Sequence, residues 1–171
     1  MKSLGISIMI VLLIGCSSNR KMNKIISQLN CTKTIYITWD DSNDLSQIES
    51  VGTFKNDYAS FTIGKRLNYK EIFIESIGEL NKKHHTKFVL RDRPAFATDS
   101  IIQVKVKIDK IVWNKGFSKA IMDNHLIYQM RGQNISIMGK SKAQSYASAR
   151  RSLLESFEHA NLLFLLAACE N

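Results

Sequence analysis

Apolar residues alternate with polar ones over several short stretches of this chain, and between them lie two segments with helical spacing. Thr34 to Trp39 alternates and is β-branched, which predicts a strand with Ile35, Ile37 and Trp39 on one face. Phe61-Thr62-Ile63 is read as a short strand. From Tyr69 to about His84, Ile72, Phe73, Ile77 and Leu80 form a helical stripe. The basic run Lys82-Lys83-His84-His85 suits the C-terminal end of that helix. Lys87 to Leu90 reads as a further strand, stopped by Arg91-Asp92-Arg93-Pro94. The clearest strand is Ile102 to Ile108, where Ile102, Val104, Val106 and Ile108 alternate with Gln103, Lys105 and Lys107. Its pattern predicts one buried face and one wet, basic face. The strand is expected to run on to Trp113 and to turn at Asn114-Lys115-Gly116. Phe117 to Met122 then pairs back. Leu126 to Met130 and Ile135 to Met138 are further strands, with Arg131-Gly132-Gln133-Asn134 as a turn or bulge. From about Ser145 to Cys169 a long helix carries Leu153, Phe157, Ala160, Phe164 and Ala167 at helical spacing. Its end, Leu162 to Ala168, is apolar nearly all round, so it is either deeply buried or packed on a partner. The order β-α-β-β-β-α predicts an α+β fold, an antiparallel sheet with two main helices on one face.

The first residues do not belong to that domain. Lys2 precedes an apolar run from Leu4 to Ile14, and Gly15 and Cys16 follow at once. A run of about 11 apolar residues is too short to span about 30 Å of hydrocarbon, but it matches the core of a secretory signal. The sequence Leu13-Ile14-Gly15-Cys16 resembles the lipobox of bacterial lipoproteins. That resemblance implies a cleaved signal peptide over residues 1–15 and a diacylglycerol thioether on Cys16, with its new amine often acylated too. Each buried methylene contributes about 0.8 kcal/mol, so two or three acyl chains hold firmly. Residues 16–32, polar and basic at first (Ser17-Ser18-Asn19-Arg20-Lys21), read as a lipidated tether, and residues 33–171 as one globular domain. No Asp follows Cys16. By the sorting habit of enteric-type lipoproteins this favours the outer membrane, facing the periplasm, with the inner membrane and the cell surface left open.

Composition narrows the class. The chain has 44% hydrophobic residues and a single proline, Pro94, which excludes a disordered stalk. Its length suffices for one domain with a real core. The net charge is +9. In a cytoplasmic protein that would point to nucleic acid; an exported one meets lipid phosphates, lipopolysaccharide and the anionic glycan wall instead. Because the basic residues are widely spread, a solvated surface explains them equally well. With Cys16 assigned to lipid, Cys31 and Cys169 remain, and in an oxidising envelope they are candidates for a disulfide or for two separate thiols.

Catalytic signatures are missing. There is no Gly-x-Ser-x-Gly, His-Glu-x-x-His, P-loop or dinucleotide motif. Counted from Asp40, a calcium loop would need Gly at Leu45 and Glu at Val51. His84 and His85 diverge by about 100° on a helix and do not chelate one ion. Glu71, Glu75 and Glu79 form a row that reads as a wet helix face. Asn30-Cys31-Thr32 and Asn134-Ile135-Ser136 match a glycosylation sequon by chance in a bacterial context. A cell-wall hydrolase would need acids such as Asp40, Asp92 or Glu75 to converge. No metal or cofactor is expected. One candidate for an anionic ligand is the basic strand face with Lys105 and Lys107, with Lys110 and Lys115 beyond.

The order of elements from about Lys33 to Ala168 is similar to small periplasmic lipoprotein domains of the curli-secretion, penicillin-binding-protein-activator and lipopolysaccharide-assembly types. That resemblance implies a non-enzymatic accessory or adaptor in envelope assembly, transport or cell-wall synthesis, held at a membrane and meeting an envelope protein partner. The alternative is a binder of anionic lipid, lipopolysaccharide or glycan through the basic strand face.

Overall fold

The computed structural model describes Cys31, residues 33–40, Ser42, residues 48–54, Ile63 and residues 66–93, 98–142 and 149–169. The signal segment, Cys16 and the tether before Cys31 lie outside the described residues. The strands are β1 (Thr34–Trp39), β2 (Glu49–Val51), β3 (Phe88–Leu90), β4 (Ile101–Lys115), β5 (Ala120–Met130) and β6 (Gln133–Lys140). Among the described residues the two long helices are α1 (Tyr69–His84), between β2 and β3, and α2 (Ala149–Cys169), after β6. All six strands form one sheet in the order β3-β1-β4-β5-β6, with β2 also paired to β4. The fold class is α+β.

Two kinds of pairing share that sheet. β4, β5 and β6 form an antiparallel meander. β1 instead lies parallel to both β3 and β4, and β2 is parallel to β4. Alternation along β1 does not distinguish the two cases, because one face of the sheet stays uncovered by helices either way. Of the strand expected over Phe61–Ile63, Ile63 has helical backbone instead, and Phe61 and Thr62 lie outside the described residues; a three-residue run carries too little alternation to define a strand.

The core lies between the sheet and both helices. Ile35, Ile37 and Trp39 of β1 face it, as do Ile102, Val104, Val106 and Ile108 of β4. Trp39 meets Phe73 of α1 at 5.1 Å between ring centroids, Phe73 meets Phe157 of α2 at 5.4 Å, and Tyr128 stacks on Phe164 at 4.2 Å. The apolar end of α2 belongs to this core: Phe164 and Leu165 are buried. Asn68 caps α1 by accepting from the Glu71 N–H at 3.1 Å, and His85 ends the helix in a left-handed conformation.

Strand direction defines two poles. β1, β3 and β4 begin at the lower pole, where β5 turns into β6 and both helices end. The β4–β5 hairpin tip marks the upper pole, roughly 50 Å away along a 15-residue strand. Cys31, just before β1, and Cys169, the last residue of α2, are bonded at the lower pole with their Cα atoms 5.8 Å apart. The helices are tied further by Lys83–Glu158 at 3.0 Å and by Arg150 to Glu75.

Candidate functional site

Both helices cover one face of the sheet, so chemistry open to a partner is concentrated on the other face and at its two ends. The four lysines expected to share a basic face do not do so. Lys105 and Lys107 point outward from β4 and are exposed. Lys105 is engaged by Asp40 at 3.0 Å. Asp40 is held down at about 2 by the Ser42 N–H and by Lys105. Between Ile108 and Lys110 the β4–β5 register slips by one residue at Asp109. This bulge turns Lys110 outward and brings Ile111, Trp113 and Lys115 to the core face. Lys115 is therefore a correction: it is 5% exposed, with its ammonium 4.6 Å above the Trp113 ring. The alternation of the sequence could not reveal the extra residue that reverses its facing.

What surrounds Lys107 and Lys110 is mixed in sign. Lys110 lies opposite His125 across the β4–β5 ladder, and Asp123 and Lys140 form the next cross-strand pair on β5 and β6. Burial raises the Asp123 carboxyl and lowers the His125 imidazole, with neighbouring charges as smaller influences. Such a face does not concentrate positive potential. The acids considered for hydrolysis are also dispersed: Asp40 pairs with Lys105, Asp92 with Lys70 and Glu75 with Arg150. Among the described residues no group of three or more His, Cys, Asp and Glu is placed to hold a metal.

Two features of this open side escaped the sequence reading. At the upper pole, Phe54 and Phe117 meet edge-to-face at 5.4 Å although 63 positions separate them. Phe117 is 84% exposed and Phe54 48%. The turn after β2 reaches the hairpin because Gly52 has φ +99°, and a Cβ there would lie 2.4 Å from the Lys115 carbonyl. The Phe54 N–H then donates to that carbonyl at 3.3 Å, and Gly116 N–H donates to the Lys119 carbonyl at 2.9 Å.

At the lower pole a shallow cleft of about 410 Å³ is lined by Thr98, Asp99, Ile101, Gln103 and Arg131. Two turns hold it. The Ile101 N–H donates to the Thr98 carbonyl at 3.0 Å, while the Thr98 and Ser100 hydroxyls lie 3.1 Å apart. On the other side Arg131 and Gly132, at φ 51° and 75°, form the two-residue loop joining β5 to β6. The sequence signals were present but ordinary: Gln103 on the wet side of an alternating strand, and Arg131-Gly132 as a turn.

No helix among the described residues is long and apolar enough to cross a membrane. No family model matches the chain, and no curated protein matches it. Among solved structures, one described as the crystal structure of an uncharacterized protein is similar over 83% of this chain and 94% of its own, with 7% identity and a TM-score of 0.34.

Proposed function

We propose that this chain is a lipid-anchored envelope protein that acts without catalysis, as an accessory or adaptor domain. The observation supporting this most directly is the division of labour across the sheet. Among the described residues both helices pack on one face, while Lys105, Lys107 and Lys110 on the other face and the Phe54–Phe117 tip are exposed. Attachment through Cys16 would enter the domain at Cys31, at the pole opposite that tip. A domain tethered at one end and adhesive at the other reaches away from its membrane, and confinement to the membrane plane raises its effective concentration near membrane-bound partners.

The test is crosslinking in intact cells followed by purification through a C-terminal tag, with Cys16→Ala and Phe117→Ser as comparisons. One envelope protein recovered with the parent chain and lost with either variant supports the reading. Recovery unchanged by both variants overturns it.

A further inference from the structure

We propose that the lower-pole cleft binds a saccharide that carries a single carboxylate, with Arg131 as the partner of that carboxylate. At about 410 Å³ the cleft lies toward the small end of ligand pockets and matches one or two sugar rings. Its lining offers each kind of contact that a pyranose needs. The planar Arg131 guanidinium presents paired N–H donors that fit a carboxylate side by side. Asp99 accepts from hydroxyls, the Thr98 hydroxyl, paired with that of Ser100, keeps a further lone pair, and Gln103 lines the wall. Ile101 supplies an apolar surface for the C–H face of a ring.

Charge separates this ligand from the other polyanions of an envelope. Asp99 and Arg131 together bring a net charge of zero to the cleft. Free phosphate or a phosphate monoester carries nearly two negative charges and calls for more cations than Arg131 alone, whereas a singly charged phosphodiester headgroup is told apart by the vesicle arm of the test below. A ligand with one carboxylate and many hydroxyls satisfies both side chains. The cleft's backbone is preorganised, since Thr98 and Asp99 lie in a turn hydrogen-bonded back to β4 and Arg131 in a tight hairpin loop, while the exposed Arg131 side chain is ordered by the ligand itself.

This inference deepens the proposed function by naming a ligand class, and it rests on that reading only for where such a saccharide is met. Its test uses the purified full-length chain, so failure of the tether or of the tip contact leaves it intact. The probes are N-acetylmuramic acid and N-acetylglucosamine, which share a ring and differ in the carboxylate-bearing ether. Backbone amide shifts are followed by NMR up to about 20 mM sugar, since a cleft this shallow implies millimolar affinity. The carboxylated sugar should give saturable shifts confined to residues 98–103 and 131–132, and bind about tenfold tighter than the uncharged one. Arg131→Asn tolerates the left-handed backbone and should erase that preference, with shifts elsewhere unchanged. Asp99→Asn should weaken both sugars. The proposal fails if neither sugar gives saturable local shifts, or if both bind the parent chain equally. It also fails if inorganic phosphate or phosphatidylglycerol vesicles occupy the same amides more tightly than the carboxylated sugar.

Discussion

The two faces of this sheet carry side chains of similar size but opposite tolerance. On the covered face the side chains are buried, and its polar groups are held by neighbours from a helix. Asn124 donates to the Ser156 hydroxyl at 2.8 Å, Tyr128 donates to Asn161 Oδ1 at 2.9 Å, and Asn161 donates to the Ser76 hydroxyl at 3.3 Å. On the open face the contacts described are lateral, such as Lys105 with Asp40 and Arg91 above the Tyr36 ring at 4.5 Å. A covered face specifies the fold; an open face is released from that duty and is available to recognition. The contrast predicts steep stability losses on one side and small ones, with binding consequences, on the other.

The largest loss is expected where the covered layer is closed into a ring. The Cys31–Cys169 bond spans 138 positions, and loop-closure entropy over that length amounts to about 5 kcal/mol in the chain-entropy model. Cys31→Ser should therefore lower the urea midpoint strongly and raise the m-value, because the uncrosslinked chain unfolds to a more expanded state; an unaltered midpoint would mean that the ends are held by packing alone. Next comes Gly139. A Cβ there would lie 2.0 Å from the Ser156 carbonyl, 2.8 Å from the Ala160 Cβ and 2.9 Å from Asn124 Oδ1. Helix α2 lies against β6 through the absence of that one side chain. Gly139→Ala should cost about 3 kcal/mol or more, read by the same denaturation. The equivalent change at Gly78, inside α1 with nothing within 4 Å, should instead stabilise by about 0.5–1 kcal/mol.

These positions also show what a sequence can and cannot disclose. β1, α1 and α2 were legible because a single local period, two or 3.6, ran through each, and β4 was legible by its period of two as far as the bulge at Asp109. β5 read as two strands with a gap, because Asp123, Asn124 and His125 interrupt its apolar run. Asn124 nevertheless faces the core, and the partner that makes this tolerable is Ser156, 32 residues away. β2, only three residues long, had no period to detect. Parallel pairing of β1 is set by non-local contacts with the same alternation as antiparallel pairing. The lysine face was partly legible, failing at the bulge that turns Lys115 inward. The cleft was not legible, since Asp99 and Arg131 each resemble ordinary turn residues and meet only through the β4–β5–β6 meander.

Within the covered layer the polar seam is the next test. Tyr128→Phe leaves Asn161 Oδ1 buried without its donor, which should cost about 1–3 kcal/mol. Replacing Asn161 by Leu in the same chain should recover part of that loss; if the single change is silent, the seam contributes nothing net. Titration gives a smaller effect. His159 Nδ1 accepts the Lys140 N–H at 3.0 Å, which requires an unprotonated nitrogen, and burial lowers the imidazole below its usual range. The unfolded chain then binds the proton more readily, so stability holds above the ordinary histidine range and falls as pH drops through it. Burial shifts His84 and His125 in the same direction. The melting temperature should decline from pH 7 to pH 5, and His159→Gln, keeping an acceptor, should reduce that slope. A slope unchanged by the substitution would assign it to the other two.

The smallest stability effect is expected on the open side, and there the comparison is sharpest. Phe117 is 84% exposed and touches Phe54 at one edge, so Phe117→Ser removes little buried area. Its cost should stay within about 0.5 kcal/mol, the range of ordinary surface changes. If the tip is nevertheless where a partner docks, the same substitution should abolish the envelope crosslink, because exposed aromatics supply a large share of interface energy. A fold left intact with a crosslink lost would separate the two duties of the molecule by a single side chain. A loss of 2 kcal/mol or more would instead show that the Phe54–Phe117 contact is structural, pinning the turn after β2 to the hairpin, and the adhesive role would pass to the rest of the open face.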